Sequence, residues 1–96
     1  MKEFKAQAVC GFGVGSSTLL KMKLDQAFRN NNVPATVFAG DVATAASTAC
    51  DVIFTSQELA EALKSRAKVP VIVINSFVDK KEIEEKAMKF VEEFNQ

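Results

Sequence analysis

With 96 residues, the chain has room for one domain with a modest core and none for a second. Hydrophobic residues make up 48% of it, eight of them Phe, which excludes a disordered chain, and twelve basic residues cancel twelve acidic ones, which excludes a nucleic-acid binder that works by neutralising phosphates. Histidine is absent, so His-based metal sites, Ser–His and Cys–His pairs, and a phosphohistidine on this chain are all excluded.

In chain order, "MKEFKAQAVC" holds no apolar run long enough for a signal peptide. Residues 4–9 predict a first strand, and "CGFGVGSST" follows as a glycine loop. A helix is predicted over about 17–31, with Leu20, Leu24, Ala27 and Phe28 on one face and Lys21, Lys23, Asp25 and Arg29 solvated. "NNNVP" ends it, because Asn tolerates turn geometry and Pro34 restricts the residue before it. "ATVFAG" reads as the second strand, after which Asp41 caps a short helix over "VATAAST". The small apolar residues of 33–55 are broken by Pro34, Gly40, Asp41 and Asp51, and a central Asp costs about 2.5–3.5 kcal/mol in a membrane-spanning helix, so no direct membrane insertion is expected. "DVIFTS" is the third strand and Ser56 the cap of the helix "QELAEALKS". "VPVIVIN" is the fourth, its β-branched run implying burial on both faces. "DKKE" has capping-box spacing, with Asp79 as the cap and Glu82 its partner, and opens a last helix with Ile83, Ala87, Phe90, Val91 and Phe94 as its apolar stripe.

Four strands alternating with helices predict an α/β three-layer sandwich with a four-stranded parallel sheet, order 2-1-3-4, flavodoxin-like. Ligands of such sheets sit beyond the carboxyl ends of the strands where the order reverses, here between strands one and three. The Cys10 loop, Thr55 and Ser56 converge there, with Asp41 and Asn75–Ser76 on the same edge.

Gly11, Gly13 and Gly15 let the backbone turn its N–H groups inward into a P-loop-like anion nest, and the following helix adds orphan donors and the positive end of its dipole. Ser16 and Ser17 cap that helix or donate hydroxyls to the anion. A thiol at Cys10 should ionise below the free value of about 8.5 in such a place. The plainer alternative is a tight turn with a buried Cys. A Walker loop is excluded because no Lys follows the last glycine, and a dinucleotide fingerprint because the third glycine arrives one residue early. No metal and no cofactor is expected. Cys50 precedes the third strand, at the opposite end of the sheet from Cys10. A five-residue strand spans about 17 Å and a disulfide needs Cα atoms within about 7 Å, so the two should not pair.

"CGFGVGSSTLLKMKLDQ" resembles the phosphocysteine loop of IIB components of bacterial phosphoenolpyruvate-dependent sugar phosphotransferase systems, in the lactose/galactitol/ascorbate-like group. It is most similar to the ascorbate-type branch, where Cys-Gly-x-Gly-x-Gly-Ser-Ser precedes a helix containing Lys-Met-Lys. The resemblance implies a single IIB phosphocarrier domain over residues 1–96, working in the cytoplasm. It implies Cys10 as phosphoacceptor, with Gly11, Phe12, Gly13, Val14, Gly15, Ser16 and Ser17 around the phosphoryl oxygens. The phosphate would come from a phosphohistidine IIA partner and pass to sugar, ascorbate by the nearest likeness, held by a membrane IIC transporter. Position 12 is often polar in that branch and is Phe12 here, an apolar tip that either folds inward with Val14 or docks a partner. The loop also resembles that of low-molecular-weight tyrosine phosphatases, Cys-x5-Arg-Ser/Thr, but Ser16 stands where the Arg would be. Without that Arg the loop lacks a bidentate phosphoryl clamp. The third alternative is a non-catalytic anion-binding module of flavodoxin-like fold.

Overall fold

The computed structural model describes residues 3–9 and 14–94, with side chains throughout except at 14–18. The elements run β1 (Phe4–Val9), α1 (Val14–Asn30), β2 (Ala35–Gly40), a 3₁₀ turn (Ala45–Ser47), β3 (Val52–Thr55), α2 (Gln57–Lys64), β4 (Val71–Val73) and α3 (Lys80–Phe94). All strands are parallel and the order is β2-β1-β3-β4, as the alternation predicts.

The period-two alternation of β1 sorts its side chains onto two covered faces. Phe4, Ala6 and Ala8 join Leu20, Leu24 and Phe28 of α1 and Ile83, Ala87, Phe90 and Val91 of α3 in the larger core. Phe4 is its junction, with ring centroids 5.3 Å from Phe28, 5.2 Å from Phe90 and 5.2 Å from Phe94. On the other face Val9 and Ile53 pack with Ala45 and Leu63 under α2. Gln7 points the same way and is wholly buried, its Nε2 donating to the Ala45 carbonyl at 3.2 Å and to Cys50 Sγ at 3.5 Å. Gly40, two register positions along from Gln7's partner Phe38, makes room for it: a Cβ there would lie 1.8 Å from Gln7 Oε1.

α1 ends in a Schellman motif. Asn32 takes φ 57, the Val33 N–H reaches back to the Phe28 carbonyl at 2.8 Å, and the Asn32 N–H to that of Arg29 at 3.1 Å. The sequence reading of "NNNVP" as a stop is thus met by an Asn in the left-handed conformation.

Two expectations need correction. β4 is not buried on both faces: Val71, Ile72 and Val73 are all half-buried, because the strand order puts β4 at an edge, and only Ile74 just past it is enclosed. The strand whose residues are all buried is β3, one of the two inner strands. Helix α1 starts at Val14, three residues before the predicted 17, so Ser16 and Ser17 lie inside its first turn and are not its caps. Gly15 is poor in a helix interior but little penalised in a first turn, where the backbone donors are unpaired anyway.

Candidate functional site

The carboxyl ends of the strands form one edge of the sheet. Val9, the last residue of β1, pairs in register with Gly40 of β2 and with Thr55 of β3, so three strands finish at one level. The order reverses between β1 and β3 at this level. Cys10, Gly11, Phe12 and Gly13 lie outside the described residues, and so do the side chains of Val14, Gly15, Ser16 and Ser17. The chain resumes at Val14 as helix. The first four N–H groups of α1, from Val14 to Ser17, therefore have no carbonyl four residues back within the helix. They carry the positive end of a 17-residue helix.

Helix α1 has no acidic residue in its first turn, whereas α2 has Glu58 and α3 has Glu82 there. Those carboxylates compensate the dipoles of their own helices. Only the helix that follows the Cys10 loop is left bare among the three, the condition under which an exogenous anion gains most from it.

The β3 end contributes two hydroxyls. Thr55 is fully buried and its Oγ1 has no hydrogen-bond partner among the described residues; Ser56 Oγ is likewise buried and unpaired. Ser56 occupies the N-cap of α2 with extended backbone, and its carbonyl accepts from Leu59 at 3.2 Å and Ala60 at 3.1 Å. The expected side-chain cap is not made. Beside it, Ser56, Gln57 and Glu58 face Ile74, Asn75, Ser76 and Phe77 across an open cavity of about 530 Å³.

The far wall of that cavity is held by Glu82, the residue whose role the capping-box reading mistook. Asp79 does cap α3, accepting the Glu82 N–H on Oδ1 at 3.1 Å. Glu82 does not return the bond, because the Asp79 N–H is already taken by the Ser76 carbonyl at 3.2 Å. Its carboxylate turns instead to the Asn75 N–H at 2.8 Å, the Asn75 side-chain amide at 3.0 Å and the Ser76 N–H at 3.0 Å, with Lys86 Nζ at 2.7 Å. Partial burial raises its pKa, but the Lys86 ammonium and the two backbone donors outweigh this and hold the carboxyl at about 2, against an ordinary 4.5. No local spacing signals a carboxylate that reaches back seven residues.

Asp41, at the same edge, is engaged by the backbone as well. Asp41 accepts the Ala43 N–H at 3.0 Å, but no helix spans 42–48: only a 3₁₀ turn forms at Ala45–Ser47, with Thr44 at its cap position, so the expected capped helix is replaced by a local turn closed by Asp41. Cys50 stands as a half-buried free thiol near the opposite, amino end of β3, and burial pushes its pKa up despite the bond from Gln7. It is a poor nucleophile by that measure. Lys21 and Lys23 are half-buried on α1.

The chain matches the family model described as "PTS system, Lactose/Cellobiose specific IIB subunit" over residues 5–89. Among solved structures it is similar to the lactose-specific IIB component domain of the phosphoenolpyruvate:carbohydrate phosphotransferase system from Streptococcus pneumoniae. The two share 18% identity with a TM-score of 0.65, and the likeness covers 99% of this chain and 100% of that one. At that identity it bears on the fold. No curated protein matches the chain.

Proposed function

This chain belongs to the family of lactose/cellobiose-specific IIB subunits of the phosphotransferase system, and we propose that it carries phosphate on Cys10 between a IIA phosphodonor and a sugar held by a membrane IIC transporter. The family supports a phosphocarrier role in sugar phosphotransfer in general; the nucleophile, the partners, the cytoplasmic location and the action of residues 1–96 as one IIB domain are our reading. The observation that carries it is the bare amino end of α1, starting four residues after the thiol at the reversal of strand order.

The chemistry follows from the residues. The Cys10 thiolate attacks the phosphorus of a phosphohistidine; the S–P bond forms, the N–P bond breaks, and the ring nitrogen leaves with its electron pair and takes up a proton to give neutral imidazole. N–H groups from Gly11 to Ser17 donate to the three equatorial oxygens and stabilise their charge. A sugar hydroxyl then attacks, its proton lost to a base outside this chain, and the thiolate is released. Among the described residues, nothing is placed to favour water as the acceptor. Asp79 and Asp41, the acids a phosphatase reading would use for the leaving group, both accept backbone N–H groups, and Ser16 replaces the phosphatase Arg. An arginine supplied to phosphoryl transfer is worth about 10³–10⁵ in rate.

For the sugar, the loop motif resembles the ascorbate-type branch and the matching family model is lactose/cellobiose-specific; ascorbate is the reading the motif supports.

The test is incubation with phosphoenolpyruvate, the general phosphotransferase proteins and IIA proteins of ascorbate, lactose and cellobiose type. Mass spectrometry should find one phosphate on the wild type and none on Cys10→Ser, and the IIA type that works names the branch. Phosphate on Cys10→Ser, or sustained release of nitrophenol from aryl phosphate by the wild type, would overturn the carrier.

A further inference from the structure

We propose that β2 is a docking edge for a second copy of this chain, the two β2 strands pairing antiparallel across a two-fold axis at Phe38 and joining two four-stranded sheets into one. The strand order leaves β2 with a neighbour, β1, on one side only. The Phe4 N–H donates to the Pro34 carbonyl at 3.3 Å, which sets the phase of that ladder. Thr36 and Phe38 turn their backbone groups toward β1, and Val37 and Ala39 turn theirs away. The outward N–H and C=O groups of Val37 and Ala39 have no partner among the described residues. With Phe38 on the axis, Val37 of each copy faces Ala39 of the other, and each such pair exchanges two hydrogen bonds.

The side chains agree with this register. Ala35 and Val37 pack into the larger core, so Phe38 lies on the opposite face, beside Gln7. Phe38 is half-buried, belongs to neither hydrophobic core and has no ring contact among the described residues. On the axis it would form a non-hydrogen-bonded pair with its own copy, the position where side chains approach most closely.

Charge decides the occupant. Residues 33–50 include a single charged side chain, Asp41, in a chain of which 25% is charged. A nucleic acid, an anionic membrane or a charged peptide finds no counter-charge on this edge. A second copy brings the same neutral strand, and a net charge of zero leaves no long-range repulsion between copies. The β4 edge differs, since Lys86 Nζ occupies the Val73 carbonyl there, so association ends at two chains. A six-residue edge is short. It buries less than the roughly 1,200 Å² of a standing complex, which sets the Kd at about 0.1–1 mM.

Sedimentation equilibrium of the wild type from about 0.02 to 2 mM should show the mean mass rising from one chain toward two and not beyond. Phe38→Lys puts two ammonium groups face to face on the axis. Ala39→Pro removes an N–H that the single chain does not use, at an edge position where Pro is tolerated. Both variants should keep the mass of one chain throughout, and Phe38→Tyr should associate as the wild type does. In the wild type itself, exchange of the Val37 and Ala39 amides with D₂O should slow as concentration rises, a readout that holds even if a variant fails to fold. A wild type that stays one chain at the highest concentration overturns the proposal. So does association undiminished in folded Phe38→Lys and Ala39→Pro, or exchange of those two amides that ignores concentration.

Discussion

Gln7 and Gly40 are the residues whose meaning depends most on each other. The side chain of Gln7 fills the space a Cβ at position 40 would need, with Oε1 1.8 Å, Cδ 2.5 Å and Cγ 2.7 Å from it. Gly40→Ala must therefore swing Gln7 out of its bonds to Ala45 and Cys50 in a wholly buried place. We expect a loss of about 1–3 kcal/mol, the range for overpacking a core. Gln7→Ala in the same chain should recover part of it, and urea unfolding of both single variants and the pair measures the coupling. A pair that loses the full sum of the singles would contradict the contact. None of this was legible in "FKAQAV", where Gln7 alternates with apolar residues and reads as the wet side of a strand. It is buried because β1 is an inner strand with helices over both faces, a fact of assembly and not of local pattern. The site residues divide in the same way. Cys10 and the glycines stand out by their types alone, whereas the unpaired state of Thr55 emerges only when β3 is set beside β1.

At the level of elements, the end of α1 and the start of α3 carry opposite kinds of prediction. Asn32 sits at φ 57, which costs a side chain with a Cβ roughly 1–2 kcal/mol unless, like Asn, it bonds locally. Asn32→Ala should destabilise by about 1 kcal/mol and Asn32→Gly should be neutral or better. Thermal melts of both variants decide it, and equal losses would argue against the left-handed cap. For Glu82 the pH dependence is set by its carboxyl, which titrates at about 2 in the fold against an ordinary 4.5. As pH falls, the unfolded chain takes up the proton first. The stabilisation is complete above pH 4.5 and is lost between pH 4.5 and about 2. Glu82→Gln should be the less stable protein at neutral pH, by about 1–3 kcal/mol. Its deficit should shrink below pH 4.5 and nearly close near pH 2, as urea midpoints along that range would record. A deficit that stays constant to pH 2 would exclude the carboxylate as the tether. The spacing of Asp79 and Glu82 announced a helix start correctly. What Glu82 does there depends on which N–H groups the preceding loop leaves free.

The molecule as a whole was the most legible level, because strand and helix alternation leaves few right-handed ways to wind four parallel strands. Its edges were the least. A run such as "VPVIVIN" looks the same on an inner strand and an outer one, and only the order tells them apart. Phe4 ties β1 to both α1 and α3 through its rings. Phe4→Ala should cost about 3–5 kcal/mol, much of what a domain of this size possesses, and a chain that keeps its denaturation midpoint would refute the junction. The β4 edge has a different consequence. In the register with β3, Ile72 uses its polar backbone groups inward, so Val71 and Val73 turn theirs outward. Lys86 Nζ donates to the Val73 carbonyl at 2.5 Å and lays a charge along that rim. A second copy arriving there to extend the sheet meets an occupied carbonyl and an ammonium it must strip of water. Solutions of Lys86→Ala should therefore scatter light increasingly with concentration while the wild type stays clear. The same lysine that steadies a carboxylate inside the fold keeps neighbouring molecules from adding a strand beside β4.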